Sequence, residues 1–300
     1  MLASGDARLD DTPGRRYTPG AMKDAEDPQL RALEERLRAL GSVVVCFSGG
    51  VDSAFVLLVA HRVLGARAVG VTAVSPSLAP SEKEGAIRVA AQIGARHELV
   101  DTHEIDDPNY AANPSNRCFY CKTELYDVAD RWAKQHGFSF LANGTNTDDL
   151  GDHRPGLDAA KKALVVSPLV EVGMSKADVR RHSRALGLGV WDKPASACLS
   201  SRLPYGTAVT RERLSQIGGL EEDLRALGFK QLRVRWHDTV ARIEIEQSEM
   251  ARAFDPEVRV RIVEAGKRHG FAYVTLDLQG YRQGSHNELL AGNALRIVSS

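Results

Sequence analysis

The sequence predicts an α/β fold in which a doubly wound parallel sheet is followed by a small C-terminal α+β domain. First, the apolar stretch 43–47 passes through a short polar turn into the apolar run 54–64, which is typical of a strand, a turn and a helix. Second, strand-like and helix-like segments alternate as far as residue 142, as they do in parallel sheets. Third, a pair of alternating segments, a helix and a last strand follow residue 230.

The first domain, residues 28–209, is expected to begin with a short amphipathic helix. Leu30, Leu33, Leu37 and Leu40 recur there at helical spacing, and the helix should end near Gly41. After the first strand and its helix, the expected elements are a strand at 68–74, a helix at 81–93 with a capping box from Ser81 and Glu84, a strand at 97–100, a long helix at 117–136, a strand at 138–142 and a helix at 175–186 that Ser175 could cap.

The two ends of the chain have different expected structures. Residues 1–27 are rich in Asp, Arg, Gly and Pro without an apolar period, so a disordered tail is expected there. Residues 210–300 are expected to form the small α+β domain, which would carry substrate or oligomer contacts. Its predicted elements are a helix at 210–227, strands at 232–236 and 241–246 around a turn at 237–239, a helix at 257–269 and a strand at 272–276.

The composition excludes several classes of partner. Lys plus Arg and Asp plus Glu both number 39, and a nucleic-acid surface normally shows as a basic excess. No run approaches the roughly 18 apolar residues of a membrane span, and the polar start lacks a signal peptide. A cytoplasmic protein without nucleic-acid or membrane partners is therefore expected. Its four cysteines then favour metal binding or redox chemistry over disulfides.

The turn SGGVDS, residues 48–53, has the composition of a phosphate-binding loop. Its glycines let backbone N–H groups approach an anion, the following helix N-terminus adds a positive end, and its serines add hydroxyl donors. A carboxylate beside phosphates repels them unless a cation lies between, so Asp52 is expected to hold Mg²⁺ directly or through water. No lysine follows the glycines, so this is not a Walker motif. The expected phosphate-binding residues are Ser48, Gly49, Gly50, Asp52 and Ser53.

A second polar loop, NGTNTDDLGDHRPG at 143–156, follows the predicted strand 138–142. Ligands of parallel sheets bind at the carboxyl ends of the strands, where both loops are expected to lie. The second loop is predicted to close over nucleotide phosphates and substrate, with Gly144 in the binding loop, Asp148 near the metal and Arg154 near an anion. A solvated loop without a binding role is the alternative.

The cysteines form an unusual set. Cys46 lies within the first strand and is expected to be a small buried residue without a role. Cys118 and Cys121 form a CxxC pair at the start of the long helix, and Cys198 stands alone in the irregular loop 191–207. A structural zinc site would need a fourth ligand, whereas three thiolates suit a [4Fe–4S] cluster with one open iron. A redox dithiol and three unrelated thiols remain alternatives.

Cys198 also has the surroundings of a nucleophile. Lys193 and Arg202 are close in sequence and could lower its pKa. Adenylation of a substrate oxygen creates a leaving group, and a thiolate is a good nucleophile towards the activated carbon. A phosphate loop combined with these thiols therefore indicates sulfur insertion.

Four motifs together resemble a known family. SGGVDS alone resembles the PP-loop ATP pyrophosphatases, which cleave ATP between its α and β phosphates and adenylate a substrate. Together with NPSNRCFYCK at 113–122, the loop at 143–156 and KPASACLSSRLPYGT at 193–207, it resembles the LarE-type sulfur transferases over about residues 28–290. The resemblance implies an adenine nucleotide alpha-hydrolase-like fold. It also implies that Mg-ATP adenylates a carboxylate of pyridinium-3,5-biscarboxylic acid mononucleotide and that a thiocarboxylate forms, for the nickel-pincer cofactor of lactate racemase.

The resemblance also implies roles for individual residues. Cys198 matches the sulfur-bearing cysteine, which becomes dehydroalanine in relatives that carry it alone. The additional Cys118 and Cys121 match the subgroup that holds a [4Fe–4S] cluster and passes on a cluster-bound sulfur, the version preferred here. The remaining implied residues are Lys122 and Arg202 at the substrate, Arg233 and Arg235 at an anion, and Glu222 and Glu244 at a metal near a subunit interface. A homo-oligomer, a hexamer by resemblance, is implied as well.

Three other functions are compatible with parts of the sequence. A PP-loop enzyme that thiolates tRNA could combine the same loop with three cysteines, but the neutral charge speaks against an RNA surface. An amide-forming adenylating enzyme would leave the cysteines without a task. A non-catalytic nucleotide-binding scaffold would release no pyrophosphate.

Overall fold

The computed structural model describes residues 27–151 and 155–282. Residues 1–26 of the expected tail lie outside the described residues, and so does the expected anion-binding Arg154. Asp27, which was assigned to the tail, instead caps the first helix, because its carboxylate accepts hydrogen bonds from the backbone N–H groups of Gln29 and Leu30.

Helices and strands alternate through the first two thirds of the chain. The helices are α1 (Pro28–Leu40), α2 (Val51–Leu64), α3 (Pro80–Ile93), α4 (Pro108–Ala111), α5 (Arg117–Gln135), α6 (Pro155–Lys162), α7 (Pro168–Glu171), α8 (Lys176–Ala185), α9 (Arg211–Ala226), α10 (Met250–Ala253) and α11 (Pro256–Arg268). The strands are β1 (Val43–Cys46), β2 (Ala68–Val74), β3 (Arg96–Asp101), β4 (Phe140–Ala142), β5 (Leu232–His237), β6 (Val240–Ile245) and β7 (Tyr273–Leu276).

The first four strands form one parallel sheet in the order β3-β2-β1-β4. Successive residues of a strand point to opposite faces. Val43 and Val45 accordingly pack into the core with α1, α2, α3 and α8, whereas Val44 packs on the other face against α5. The sheet is thus covered by helices on both faces, which confirms the predicted doubly wound fold.

A second sheet has the order β5-β6-β7, with an antiparallel first pair and a parallel second pair. Its apolar core includes Val234 and Ile243 from the strands and Leu220 from α9. The same core contains Tyr110 from α4 and Leu199 from the Cys198 loop. The second sheet therefore packs directly against segments that carry the cysteines.

The start of α3 differs from the sequence expectation. Ser81 and Glu84 do not form a capping box, because α3 begins one residue earlier, at Pro80, with Ala79 as its N-cap. The hydroxyl of Ser81 is buried without a hydrogen-bond partner. The capping box lies instead at α8, where Ser175 and Asp178 bond reciprocally to each other's backbone N–H groups.

No helix within the described ranges is both long and apolar enough to cross a membrane.

Candidate active site

The loop 48–53 joins β1 to α2 at the carboxyl edge of the parallel sheet. The Ser53 hydroxyl accepts a hydrogen bond from the Ser48 backbone N–H at 3.1 Å, and the two serine hydroxyls lie 3.1 Å apart. Gly50 is the N-cap of α2, and no side chain caps this end of the helix. The first N–H groups of α2 therefore remain available to an anion at the loop.

Glycine is required at two places in this site. Gly49 has φ +70°, and a Cβ there would lie 2.8 Å from the Ala86 Cα. A Cβ on Gly144 would lie 2.6 Å from the Ser53 backbone nitrogen, so the second loop packs directly on the first turn of α2. This close approach explains the glycine in the NGTN sequence, because any side chain would push the two loops apart.

Asp52 lies between two partners. Its carboxylate pairs with the Lys176 ammonium and accepts a hydrogen bond from the Asn146 side-chain amide at 3.3 Å. Lys176 is the first residue of α8, and the Asp148 carboxylate accepts a hydrogen bond from its backbone N–H at 3.1 Å. Asp148, expected near the metal, thus anchors the helix that supplies Lys176. A cation already lies beside Asp52 in the form of that ammonium.

One cleft of about 360 Å³ connects this loop with the cysteines. Ser48, Gly50 and Asp52 line one part of it, and Cys121, Lys122 and Cys198 line another. The carboxyl ends of β2 and β3 contribute Ser75, Ser77, Thr102 and Glu104, and the Cys198 loop contributes residues 193–197. The fold therefore brings the predicted phosphate loop and two of the three predicted sulfur ligands to a single space.

The three cysteines are near one another but differ in exposure. Cys118 and Cys198 are exposed, and Cys121 is half-buried. Burial raises the pKa of Cys121 to about 12, and burial followed by the nearby Cys198 raises that of Cys118. Cys46 also lines the cleft, and its burial raises its pKa to about 12. Without a cation, the thiols of Cys46, Cys118 and Cys121 stay protonated at neutral pH.

Within residues 27–151 and 155–282, no three His, Cys, Asp or Glu side chains converge in the manner of a metal site. The cysteines nevertheless supply the right donor type, because Cys121 and Cys198 line one cleft and Cys118 lies close enough to Cys198 to feel its charge. Three thiolates match a [4Fe–4S] cluster with one open iron better than a closed zinc site.

The loop that carries Cys198 is tied to α3. Glu82 accepts hydrogen bonds from the Lys193 ammonium and the Ser196 hydroxyl, each at 2.8 Å. Burial acts to raise the pKa of Glu82, but the bond from Lys193 outweighs it, so the carboxyl titrates below its ordinary range. Lys193 therefore binds a carboxylate in this structure rather than activating Cys198.

Arg202, expected at the substrate, is buried behind the Cys198 loop. Its guanidinium makes a bidentate pair with Glu221 at 2.8 and 3.1 Å, and it donates to the carbonyl oxygens of Ala197 at 2.7 Å and Cys198 at 3.1 Å. Arg202 is 5% exposed, so its donors are directed to protein groups. The structure gives it the position of a residue that holds the Cys198 backbone.

The other predicted charged residues lie together on the second sheet. Arg235 pairs with Glu244 at 3.0 and 3.1 Å and donates to the Ser201 carbonyl at 2.8 Å. Arg233 lies over the Tyr281 ring, 4.9 Å from its centre, and burial together with the nearby Arg202 lowers its pKa. This arrangement places a buried guanidinium beside the Cys198 loop.

Glu222, expected with Glu244 at a metal, lies elsewhere. It forms an ion pair with Arg225, and its side chain is 36% exposed. The neighbouring Glu221 is fully buried and faces the arginines. Adjacent residues of a helix point in different directions, so one step along α9 decides which acid is buried.

Sequence reasoning missed several residues of the cleft, chiefly Lys176, Glu82 and Glu104. Glu104 is 4% exposed, and its carboxylate accepts a hydrogen bond from the Ser75 hydroxyl at 2.5 Å. Lys176 carried a weak signal, since it opens a helix behind a capping serine, but that pattern does not indicate what its ammonium meets. Glu82 and Glu104 carried none, because nothing near them in sequence indicates which cleft they face.

Three comparisons with known proteins agree with this geometry. Residues 29–113 match the family model for asparagine synthase. The chain is 36% identical, over 86% of its length and 93% of the relative, to pyridinium-3,5-bisthiocarboxylic acid mononucleotide synthase of Lactiplantibacillus plantarum. It is 46% identical, over 88% of its length and 98% of the relative, to an uncharacterized protein of Synechocystis sp..

A more distant relative shares a smaller part of the chain. The glutamine-hydrolysing GMP synthase of Archaeoglobus fulgidus has a polypeptide that is 25% identical over 59% of this chain and 58% of that protein. The long match to the Lactiplantibacillus synthase is the decisive one, because it spans the phosphate loop and the segments that carry Cys118, Cys121 and Cys198. The chain therefore belongs to the LarE-type family of PP-loop proteins and is an ATP-dependent sulfur-transferring enzyme.

Proposed function

We propose that this enzyme adenylates a carboxylate of pyridinium-3,5-biscarboxylic acid mononucleotide and converts it to a thiocarboxylate, a step towards the nickel-pincer cofactor of lactate racemase. The observation that carries the proposal is the single cleft lined by both the PP-loop and the thiols of Cys121 and Cys198. An acyl adenylate formed at one end would meet sulfur at the other. The name of the Lactiplantibacillus relative supports this substrate class.

In the first step, a substrate carboxylate oxygen attacks the α-phosphorus of ATP and pyrophosphate leaves. The uncapped N-terminus of α2 and the serines of the loop are proposed to bind the phosphates. Lys176, held by Asp52, would neutralise charge on the departing pyrophosphate, and Asp52 is proposed to hold Mg²⁺ once ATP draws Lys176 to the phosphates.

In the second step, sulfur attacks the acyl carbon and AMP leaves. Lys122 lines the cleft beside the cysteines and forms no ion pair with any described residue, so we assign it to a substrate anion. Two sulfur donors remain in competition. Cys198 could form a thioester and lose its sulfur by elimination, which leaves dehydroalanine in the chain. Alternatively, Cys118, Cys121 and Cys198 would hold a [4Fe–4S] cluster whose open iron supplies a sulfide, and we prefer this version.

The remaining family roles are also proposals for this chain. Arg233 and Arg235 would bind a substrate phosphate, and Glu244 with Glu222 would bind a metal near a subunit interface of a homo-oligomer, a hexamer by resemblance. The burial of Arg233 without a carboxylate of its own supports the anion role, since an uncompensated buried cation favours an anionic ligand. The pairing of Glu222 with Arg225 favours Glu221 as the second acid.

The test is turnover by anaerobically reconstituted protein with Mg-ATP and the biscarboxylate substrate. We expect pyrophosphate release that depends on the substrate, a thiocarboxylate product and broad absorbance near 400 nm. Intact mass afterwards separates the donors, because conversion of cysteine to dehydroalanine removes roughly 34 Da as H₂S. Asp52→Ala should abolish pyrophosphate release while leaving any absorbance unchanged. Substrate-independent pyrophosphate release without a sulfur product would refute the proposal.

A further inference from the structure

Three hydroxyl groups meet behind the cysteine end of the cleft. The Tyr110 hydroxyl lies 2.7 Å from the Ser77 hydroxyl and 2.6 Å from the Ser200 hydroxyl, and the two serine hydroxyls are 3.0 Å apart. Tyr110 is 1%, Ser77 4% and Ser200 0% exposed. Each hydroxyl can donate one hydrogen bond and accept another, so the three satisfy one another in a closed ring without water.

The ring joins three segments that are far apart in sequence. Ser77 follows β2 and lines the cleft, Tyr110 belongs to α4, and Ser200 lies two residues after Cys198. The Leu199 backbone N–H also donates to the Ser77 carbonyl at 2.9 Å. The backbone on the far side of Cys198 is therefore fixed to the wall of the cleft at two consecutive residues.

A second buried contact links the same segment to the CxxC helix. Arg117, the first residue of α5 and the neighbour of Cys118, donates to the Ser200 carbonyl at 2.9 Å and to the side-chain oxygen of Asn113. The Asn113 amide in turn donates to the Pro204 carbonyl at 2.8 Å. Both groups of Ser200, its hydroxyl and its carbonyl, are thus tied to elements that bear on the other two thiols.

We propose that the buried ring of Ser77, Tyr110 and Ser200 is a positioning device that holds Cys198 against the adenylation end of the cleft and beside Cys118 and Cys121. The proposal rests on the proposed sulfur transfer and holds for either sulfur donor. Acyl adenylates hydrolyse, so an ill-placed Cys198 would waste ATP. The ring is then a determinant of coupling between the two half-reactions, and the hydrogen bonds that close it involve no residue of the PP-loop.

The test compares Ser200→Ala with the wild-type full-length protein. This change leaves Tyr110 bonded to Ser77, so no hydroxyl is orphaned. Hydrogen exchange of the backbone amides at 199–203 should accelerate on the order of fivefold, the factor that corresponds to a hydrogen bond of about 1 kcal/mol. The ratio of pyrophosphate released to thiocarboxylate formed should rise at least threefold, whereas general destabilisation would lower both products together.

Ser183→Ala is the matched control, because Ser183 is also 0% exposed and its hydroxyl has no hydrogen-bond partner in α8. It should change neither readout. Tyr110→Phe, which keeps the buried aromatic ring, should reproduce the raised ratio if Ser200→Ala folds poorly. An unchanged product ratio in both variants would overturn the proposal. Wild-type protein that releases pyrophosphate without any sulfur product would refute the proposed function instead, and the exchange measurement would still decide whether the ring holds the loop.

Discussion

A single ion pair defines the chemistry of the PP-loop end of the cleft. Asp52 is 24% and Lys176 30% exposed, so both charges face the space where phosphates would bind. Their pairing removes the repulsion that made an acid in a phosphate loop surprising. It also gives the site a cation that an ATP phosphate can attract away from Asp52, which would free the carboxylate for Mg²⁺.

Lys176→Met should lower the turnover number for pyrophosphate release on the order of 100-fold, because it removes the fixed positive charge at the departing group and leaves Asp52 unpaired. Steady-state release of pyrophosphate measures the effect. Lys161→Met, which changes an exposed lysine of α6, is the control and should retain wild-type rates. Equal rates for the two variants would contradict a role for Lys176 at the phosphates.

At the scale of elements, the start of α8 decides where Lys176 lies. The Ser175 hydroxyl accepts the Asp178 backbone N–H at 3.2 Å, and the Asp178 carboxylate accepts the Ser175 backbone N–H at 3.1 Å. Bonds from Ser175, followed by a contact with Arg181, lower the pKa of Asp178 to about 2. The capping box therefore fixes the helix start and with it the direction of the lysine.

Ser175→Ala should lower the free energy of unfolding by about 1 kcal/mol at pH 7. The Asp178 carboxylate has a depressed pKa in the folded state, so its share of stability is full above its unfolded pKa of about 4 and is lost as the pH falls towards 2. The deficit of the variant should therefore shrink over that range in urea unfolding.

The control for this measurement is Ser81→Ala. Ser81 was predicted to cap α3 from its sequence pattern, but its hydroxyl bonds to nothing in the structure. Loss of that hydroxyl should cost no stability, because no hydrogen bond is broken. A loss equal to that of Ser175→Ala would mean that the capping geometry does not stabilise α8.

At the scale of the molecule, buried ion pairs join the two sheets through the Cys198 loop. Glu221 of α9 binds Arg202 and also accepts the Val234 backbone N–H at 3.1 Å. Arg235 of β5 reaches the Ser201 carbonyl on the same loop. The position of Cys198 thus depends on the second sheet as well as on the first.

Glu221→Gln should lower the free energy of unfolding by about 3 kcal/mol, because it leaves the Arg202 guanidinium buried without a counter-charge. Glu222→Gln should cost less than about 1 kcal/mol, since it breaks only a partly exposed pair with Arg225. Urea unfolding of both variants provides the comparison. Similar losses at the two positions would show that burial of the ion pair contributes nothing.

Much of this protein was predictable from local patterns. Leu30, Leu33 and Leu37 identified α1 by their spacing, and all three are buried. The strand and glycines of residues 43–50 identified the phosphate loop, because only a few sequences permit a buried strand, a left-handed glycine and an uncapped helix in succession. The resemblance of the four motifs likewise led to the LarE-type family, which the long match to the Lactiplantibacillus synthase confirms.

Sequence by itself thus determined the α/β fold, the ATP-dependent class of chemistry and the residues that could carry sulfur, since each depends on short-range order along the chain. Only the tertiary structure decided which charges face each other. Lys176 meets Asp52, Lys193 meets Glu82 and Arg202 meets Glu221, and the partners in each pair are distant in sequence. Such contacts depend on how helices pack across the sheet, so no local pattern contains them.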